Sequence, residues 1–195
     1  MAAVLTNKGT HARTPTAEVE TARLRLRPFT LQDLDGLWRI ARDPEVMRHI
    51  GDGLPFTRDE TLANLSKIIE VFERRGYGRW ALEKKDGGGL IGYCGLGNGI
   101  AEVGVEVVYL LAREEWGKGI ATEAGSAALR YGFETLGCDS IAALTRPDNW
   151  RSRRVMERLG MRFERDACYH GYTCVCYRVA REDWHAPGGA IYRVR

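Results

Sequence analysis

The chain has 195 residues, 44% of them hydrophobic and 28% charged, and a formal net charge of +3. This fits one globular domain able to bury a core without disulfides or metal. Lys and Arg are interspersed with Asp and Glu, which argues against a general nucleic-acid surface, and no window approaches the roughly 20 apolar residues of a membrane span.

Residues 1–20 carry no secretory apolar core and no apolar periodicity, so a flexible tail and a cytoplasmic location are expected. Leu24 and Leu26 alternate with Arg23, Arg25 and Arg27, the pattern of a half-buried strand closed by Pro28. Thr30 to Asp33 reads as a helix start, Leu34, Leu37, Trp38 and Ala41 follow at helical spacing, and a short helical turn is expected over 45–49. Thr57 and Glu60 make a capping box for a helix whose stripe runs Leu62, Leu65, Ile68, Ile69 and Phe72 and which stops at Gly76. Strands are expected over 79–84 and 90–96, joined through Asp86-Gly87-Gly88-Gly89, with a turn at Asn98-Gly99.

The nearly continuous apolar run from Val103 to Leu111, broken only by Glu106, predicts a central strand covered on both faces. A helix over 119–136 follows, with Ala121, Ala124, Gly125 and Ala128 allowing close packing. Then come a strand over 141–145, a helix from Asn149 to Gly160, and a hairpin of 163–169 and 172–179. The result is a single α/β domain over 21–184, a mixed and mostly antiparallel sheet with helices on both faces, followed by a tail over 185–195. The five cysteines, Cys94, Cys138, Cys168, Cys174 and Cys176, form no zinc spacing and suggest no disulfide framework, so no metal is expected. Trp38, Trp80 and Trp150 read as core or cleft wall.

Val105 to Ala124 is the informative stretch: buried strand, tight turn with Gly117 and Gly119, helix start. Glycines let backbone approach a ligand, and free amides at a helix N-terminus favour an anion such as a diphosphate. Neither a Walker A loop nor a Rossmann fingerprint matches, since Thr122 stands where the third glycine would be.

With those residues in place, the sequence resembles the GNAT acetyltransferase superfamily, and within it the ribosomal-protein-alanine N-acetyltransferase-like (Rim-type) branch. The likeness spans about residues 22–184. Thr-Ala-Arg-Leu-Arg-Leu-Arg-Pro-Phe from Thr21 resembles the first strand of that branch, and Trp116-Gly-Lys-Gly-Ile-Ala-Thr-Glu-Ala124 its acetyl-CoA turn. Asn149-Trp-Arg-Ser-Arg-Arg-Val-Met-Glu-Arg-Leu-Gly-Met161 resembles its second signature. The resemblance implies a sheet splayed at its central strands and acetyl-CoA as co-substrate. The pyrophosphate would lie on backbone amides of Trp116, Gly117, Lys118, Gly119, Ile120, Ala121 and Thr122. Pantetheine would pair with Leu110, Leu111 and Ala112, and the Asn149 side chain would bond the cofactor arm. Lys118 and Arg154 could add charge near phosphate. Glu114 stands where the superfamily often has Gln or Arg, an acid that has to point away from a diphosphate.

Acetyl transfer needs a neutral amine, and amines with pKa values of about 8 to 10.4 gain from a base. Glu106 is the candidate base, against the reading of a structural acid paired with an Arg. Ser152 is the candidate acid to the leaving thiolate, against the reading of a helix cap. Tyr131, Tyr169 and Tyr172 are further candidate acids, and His49 a candidate substrate contact. The acceptor is a primary amine, on a peptide N-terminus or a small molecule, its choice set by loops at 51–56 and 169–173. No nucleic-acid or membrane partner is expected, and the chain would act as monomer or homodimer. The alternative is a GNAT-fold sensor that binds acyl-CoA without turnover.

Overall fold

The computed structural model describes residues 18–98, 103–169, 171–186 and 191–195. The expected turn residue Gly99, most of the expected N-terminal tail and residues 187–190 lie outside them.

The Leu-Arg alternation forms strand β2 (Leu24–Arg27), with both leucines fully buried. It pairs antiparallel with β3 (Arg79–Lys84), which pairs with β4 (Leu90–Asn98), which pairs with β5 (Val105–Leu111). β5 then runs parallel to β6 (Ser140–Thr145), and β6 is continued by β8 (Tyr172–Ala180) and β7 (Arg162–Tyr169), both antiparallel. On the far edge, β1 (Val19–Glu20) joins β2 and is itself covered by β9 (Arg193–Val194), completing a sheet of nine strands. The mixed, mostly antiparallel order is the one expected.

Local chemistry fixes the helices. Before α1 (Leu34–Ala41), a 3-10 turn over Leu31–Asp33 forms where Asp33 accepts from the Thr30 amide at 2.8 Å. Asp43 caps the short α2 (Pro44–Met47). Thr57 and Glu60 cap α3 (Arg58–Arg75) reciprocally, and Gly76 at φ 76° ends it. α4 (Ile120–Arg130) runs on into a wider π-type turn over Tyr131–Thr135, close to the single helix expected. α5 spans Trp150–Arg158.

The sheet has two covered faces. Leu24, Leu26, Trp80, Leu82, Leu96, Val107, Ile141 and Val175 pack with Ala124 and Ala128 of α4 and Met156 of α5. Phe29, Leu37, Leu65, Ile68, Tyr93 and Leu110 form the other layer, beneath α1 to α3. A Cβ at Gly125 would lie 2.8 Å from Leu159, so the glycine is what lets α4 and α5 approach.

Three expectations change. Val19 and Glu20, assigned to the tail, are in the sheet: Val19 is fully buried, and Glu20 pairs with Lys85 and Arg195. The strand β9 comes from the expected C-terminal tail; two-residue strands are too short for alternation to reveal. Trp80 is core, but Trp150 is 63% exposed on the outer side of α5, with Arg153 stacked on it.

Candidate active site

The site begins where β5 and β6 part. They share one register pair, Glu106↔Ala142, and the rest of β5 has no ladder partner in β6. Ala112 donates its amide to Ile91 of β4 at 2.9 Å. By the alternation of an antiparallel ladder, Glu106, Val108, Leu110 and Ala112 therefore turn their backbone groups toward β4. Val107, Tyr109 and Leu111 turn theirs toward the opening. Of the three residues expected to pair with a ligand, only Leu111 faces the gap, and Tyr109 joins it; Leu110 and Ala112 are committed to β4. The Leu111 carbonyl is already taken by the Trp116 indole at 3.0 Å.

That indole leads into the turn. Gly117 and Gly119 both sit at φ 76°, a left-handed conformation that glycine adopts freely. Nothing lies within 4 Å of a Cβ built at Gly117. Gly119 is the N-cap of α4 and supplies no side-chain cap. Because Glu123 is the first residue to close a helical bond back to Gly119, the amides of Ile120, Ala121 and Thr122 precede the ladder. Thr122 Oγ1 is buried with no hydrogen-bond partner among the described residues. An orphaned hydroxyl, amides outside the ladder and the positive end of a helix fit an anionic oxygen-rich ligand such as a diphosphate.

The surrounding charges frame the turn. Glu115 is buried and holds both Lys84 (3.3 Å) and Lys118 (3.2 Å). Arg23 pairs with Glu123 at 2.6 Å and donates to the Lys118 carbonyl at 3.0 Å. Glu114 does point away: it pairs with Arg39 of α1 at 2.7 Å. Its carboxyl is held below the usual range, chiefly by a backbone hydrogen bond within its own residue and then, against a partial burial penalty, by Arg39. Arg154 is exposed on α5; the cation this helix brings to the turn is Arg151, 4.9 Å from the centre of the Trp116 ring.

The second signature starts α5. Asn149 is the N-cap: its Oδ1 accepts from the Ser152 amide at 3.2 Å, and its Nδ2 donates to Thr145 Oγ1 at 3.0 Å. Both ends of the side chain therefore have protein partners. Ser152 is not the cap. Its Oγ lies 2.8 Å from the Tyr109 hydroxyl, which also reaches the Ser152 carbonyl at 3.1 Å. Burial pushes the Tyr109 phenol well above its ordinary pKa, the Ser152 bond opposing only in part. The phenol stays protonated and serves as a donor. Tyr109 escaped sequence reasoning, although alternation from Glu106 placed it on the opposite face, toward α5.

Glu106 faces the α1 to α3 side. It is 7% exposed and sits across from Gly97, whose missing Cβ leaves room for the carboxylate, 3.4 Å from that position. Tyr169 is near enough to feel its charge: burial first, then Glu106, raise the Tyr169 pKa. Glu106 and the Ser152–Tyr109 pair thus flank the opening from opposite faces of the sheet. Tyr131 packs edge-on to Trp80 in the core, away from this opening. His49 Nδ1 is 3.5 Å from Asp148 but makes no hydrogen bond among the described residues, and burial, above all, lowers its pKa. The two loops expected to choose the acceptor are tied together, since Arg146 donates to the Gly51 carbonyl and stacks on Tyr172 at 4.7 Å. Among the described residues no group of three or more His, Cys, Asp or Glu could hold a metal. Cys174 and Cys176 are buried on one face of β8.

Comparison with known proteins bears on the family and the fold. The acetyltransferase (GNAT) domain family matches residues 23–162. An uncharacterized N-acetyltransferase, p20, of Bacillus licheniformis is 33% identical over 150 residues, covering 74% of this chain and 82% of that protein. The GNAT-family acetyltransferase of Bacillus anthracis superposes with a TM-score of 0.74 at 25% identity, over 85% of this chain and 99% of that one. RimJ of Mycobacterium smegmatis, solved in complex with CoA-disulfide, shares the fold with a TM-score of 0.70 at 22% identity, over 85% and 88% of the two chains.

Proposed function

The chain belongs to the acetyltransferase (GNAT) domain family, and from that premise we propose that it moves an acetyl group from acetyl-CoA to a primary amine by direct attack on the thioester. The observation that carries the reading is the position of the Gly117–Gly119 turn. It presents the first amides of α4 and the orphaned Thr122 hydroxyl next to the opening between β5 and β6. A diphosphate on those amides directs a pantetheine arm into the opening, where Tyr109 and Leu111 offer backbone groups as a strand edge does.

The acetyl group then lies between the two flanking sets. Glu106 receives the proton the amine must lose, directly or through one water. The amine nitrogen attacks the carbonyl, the C–N bond forms, and the C–S bond breaks. Ser152 Oγ, positioned and polarised by the Tyr109 phenol, gives its proton to the departing sulfur, which leaves as the CoA thiol; Ser152 is reprotonated from solvent and Glu106 returns the amine's proton there. The acceptor enters on the Glu106 side, beneath the Arg146 tie, and is a peptide N-terminus or a small-molecule amine. The relatives to which the chain is similar carry N-acetyltransferase names, which supports the reaction class.

The test pairs calorimetry with catalysis. Acetyl-CoA is expected to bind with one-to-one stoichiometry, and a panel of N-terminal peptides and small amines is expected to include at least one acceptor that releases free thiol. No binding sinks the reading. Binding without turnover on any acceptor turns it into a sensor.

A further inference from the structure

Beside the turn lies a cleft of about 330 Å³ whose lining includes Arg23, Lys84, Lys85, Asp86, Glu115 and Lys118. That volume is in the range of small-ligand sites, about 300–1,000 Å³. Four cationic side chains from three separate segments converge on it: β2 is led in by Arg23, β3 ends at Lys84 and is followed by Lys85, and the turn supplies Lys118. Two carboxylates also line it, and the buried Glu115 is shared by two lysines, so the lining carries a positive excess. Arg23 and Lys85 have further partners in Glu123 and Glu20, and both cations remain substantially exposed to an incoming ligand, at 51% and 37%.

The cleft is continuous with the turn. Lys118 and Ile120 belong to both, and Arg23 Nη2 lies 3.6 Å from where a Cβ on Gly119 would stand. An anion bound here would lie close enough to one on the turn for a short linker to join the two. A diphosphate ester of a nucleoside whose ribose carries its own phosphate has that shape. The dianionic monoester would settle among the lysines while the diphosphate lies on α4.

Resting on the reading of the turn as a diphosphate site, we propose that this cleft holds the ribose 3′-phosphate of coenzyme A and that Lys84 and Lys85 make the protein select CoA over dephospho-CoA. Lys84 is on β3 and Lys85 follows it, with β4 and β5 between that strand and the opening, so they act on cofactor choice and not on the reacting atoms.

Calorimetry with CoA and dephospho-CoA tests this on the full chain. The wild-type protein is expected to bind CoA at least tenfold more tightly, about 1.4 kcal/mol. In the Lys84→Gln/Lys85→Gln variant the ratio is expected to fall to within about twofold, through loss of CoA affinity alone, with dephospho-CoA binding unchanged. If the double variant melts early, Lys84→Gln alone serves, since Lys118 still partners Glu115; its ratio is expected to drop at least threefold. A wild-type ratio near one overturns the inference and leaves the diphosphate site standing, as does a ratio that survives the substitutions. Wild-type binding of neither compound overturns the diphosphate site as well.

Discussion

In the proposed reaction two side chains on opposite faces of β5, Glu106 and Tyr109, divide the chemistry, and each can be removed separately. Glu106→Gln keeps shape and hydrogen bonding but cannot accept a proton. Turnover near neutral pH is expected to fall about a hundredfold, with little change in the Michaelis constant for acetyl-CoA, and the defect should narrow as pH rises and more amine is already neutral. A flat, near-normal pH–rate profile would return Glu106 to a structural role. Ser152→Ala and Tyr109→Phe address the leaving group. Because the two hydroxyls are 2.8 Å apart and act as one unit, each single change is expected to cost about tenfold in kcat and the double change hardly more than either alone. Multiplicative losses would mean that they work independently. Glu106 was visible as the one acid in an apolar run, and so as a candidate base. Tyr109 was not, because its meaning depends on a partner in α5 that only the folded chain brings to it.

The turn and the two capped helices form the next scale. Gly119→Val places a branched side chain at φ 76° and toward Arg23, so CoA affinity is expected to fall at least tenfold by calorimetry while far-UV circular dichroism is kept. Asn149→Ala removes an N-cap whose two polar ends are both satisfied. The expected loss is about 1 kcal/mol, a melting temperature lower by roughly 2–4 °C. A Michaelis constant for acetyl-CoA that rises far more than this would show a hydrogen bond to the cofactor as well. At the start of α1, Asp33 pairs with Arg27 at 2.6 Å and is nearly buried. Burial would raise its pKa, but the Arg27 and Thr30 hydrogen bonds overrule it and the net shift is downward. The folded pKa is thus below the unfolded one. The stabilisation is full above the unfolded value, about 3.9, and is lost as pH falls through the folded value. Asp33→Asn, which leaves Arg27 with one carboxylate partner, Glu83, beside the Pro28 carbonyl, is expected to cost about 3 kcal/mol at neutral pH and less in acid, read from urea midpoints at pH 7 and pH 3.

For the molecule as a whole, the long elements could be read from periodicity, and the capping box of α3 fixed its start. What sequence could not give was the far edge of the sheet, where β1 and β9 are two residues each and exist only because strands distant in sequence meet. The single pair between β5 and β6 could not be read from periodicity either, since a strand's sequence does not record how far its neighbour accompanies it; only the family resemblance implied a splay at the central strands. That pair has a mechanical meaning. It makes the sheet two plates, β7-β8-β6 on one side and the remaining six strands on the other, joined along a short seam and by the helices above it. A ligand arm laid in the seam acts as mortar: it supplies the missing rungs, so the plates should breathe less when it is in place. Hydrogen–deuterium exchange should register this as slower exchange of the Tyr109 and Leu111 amides with CoA bound, while Leu110 and Ala112, already bonded to β4, change little.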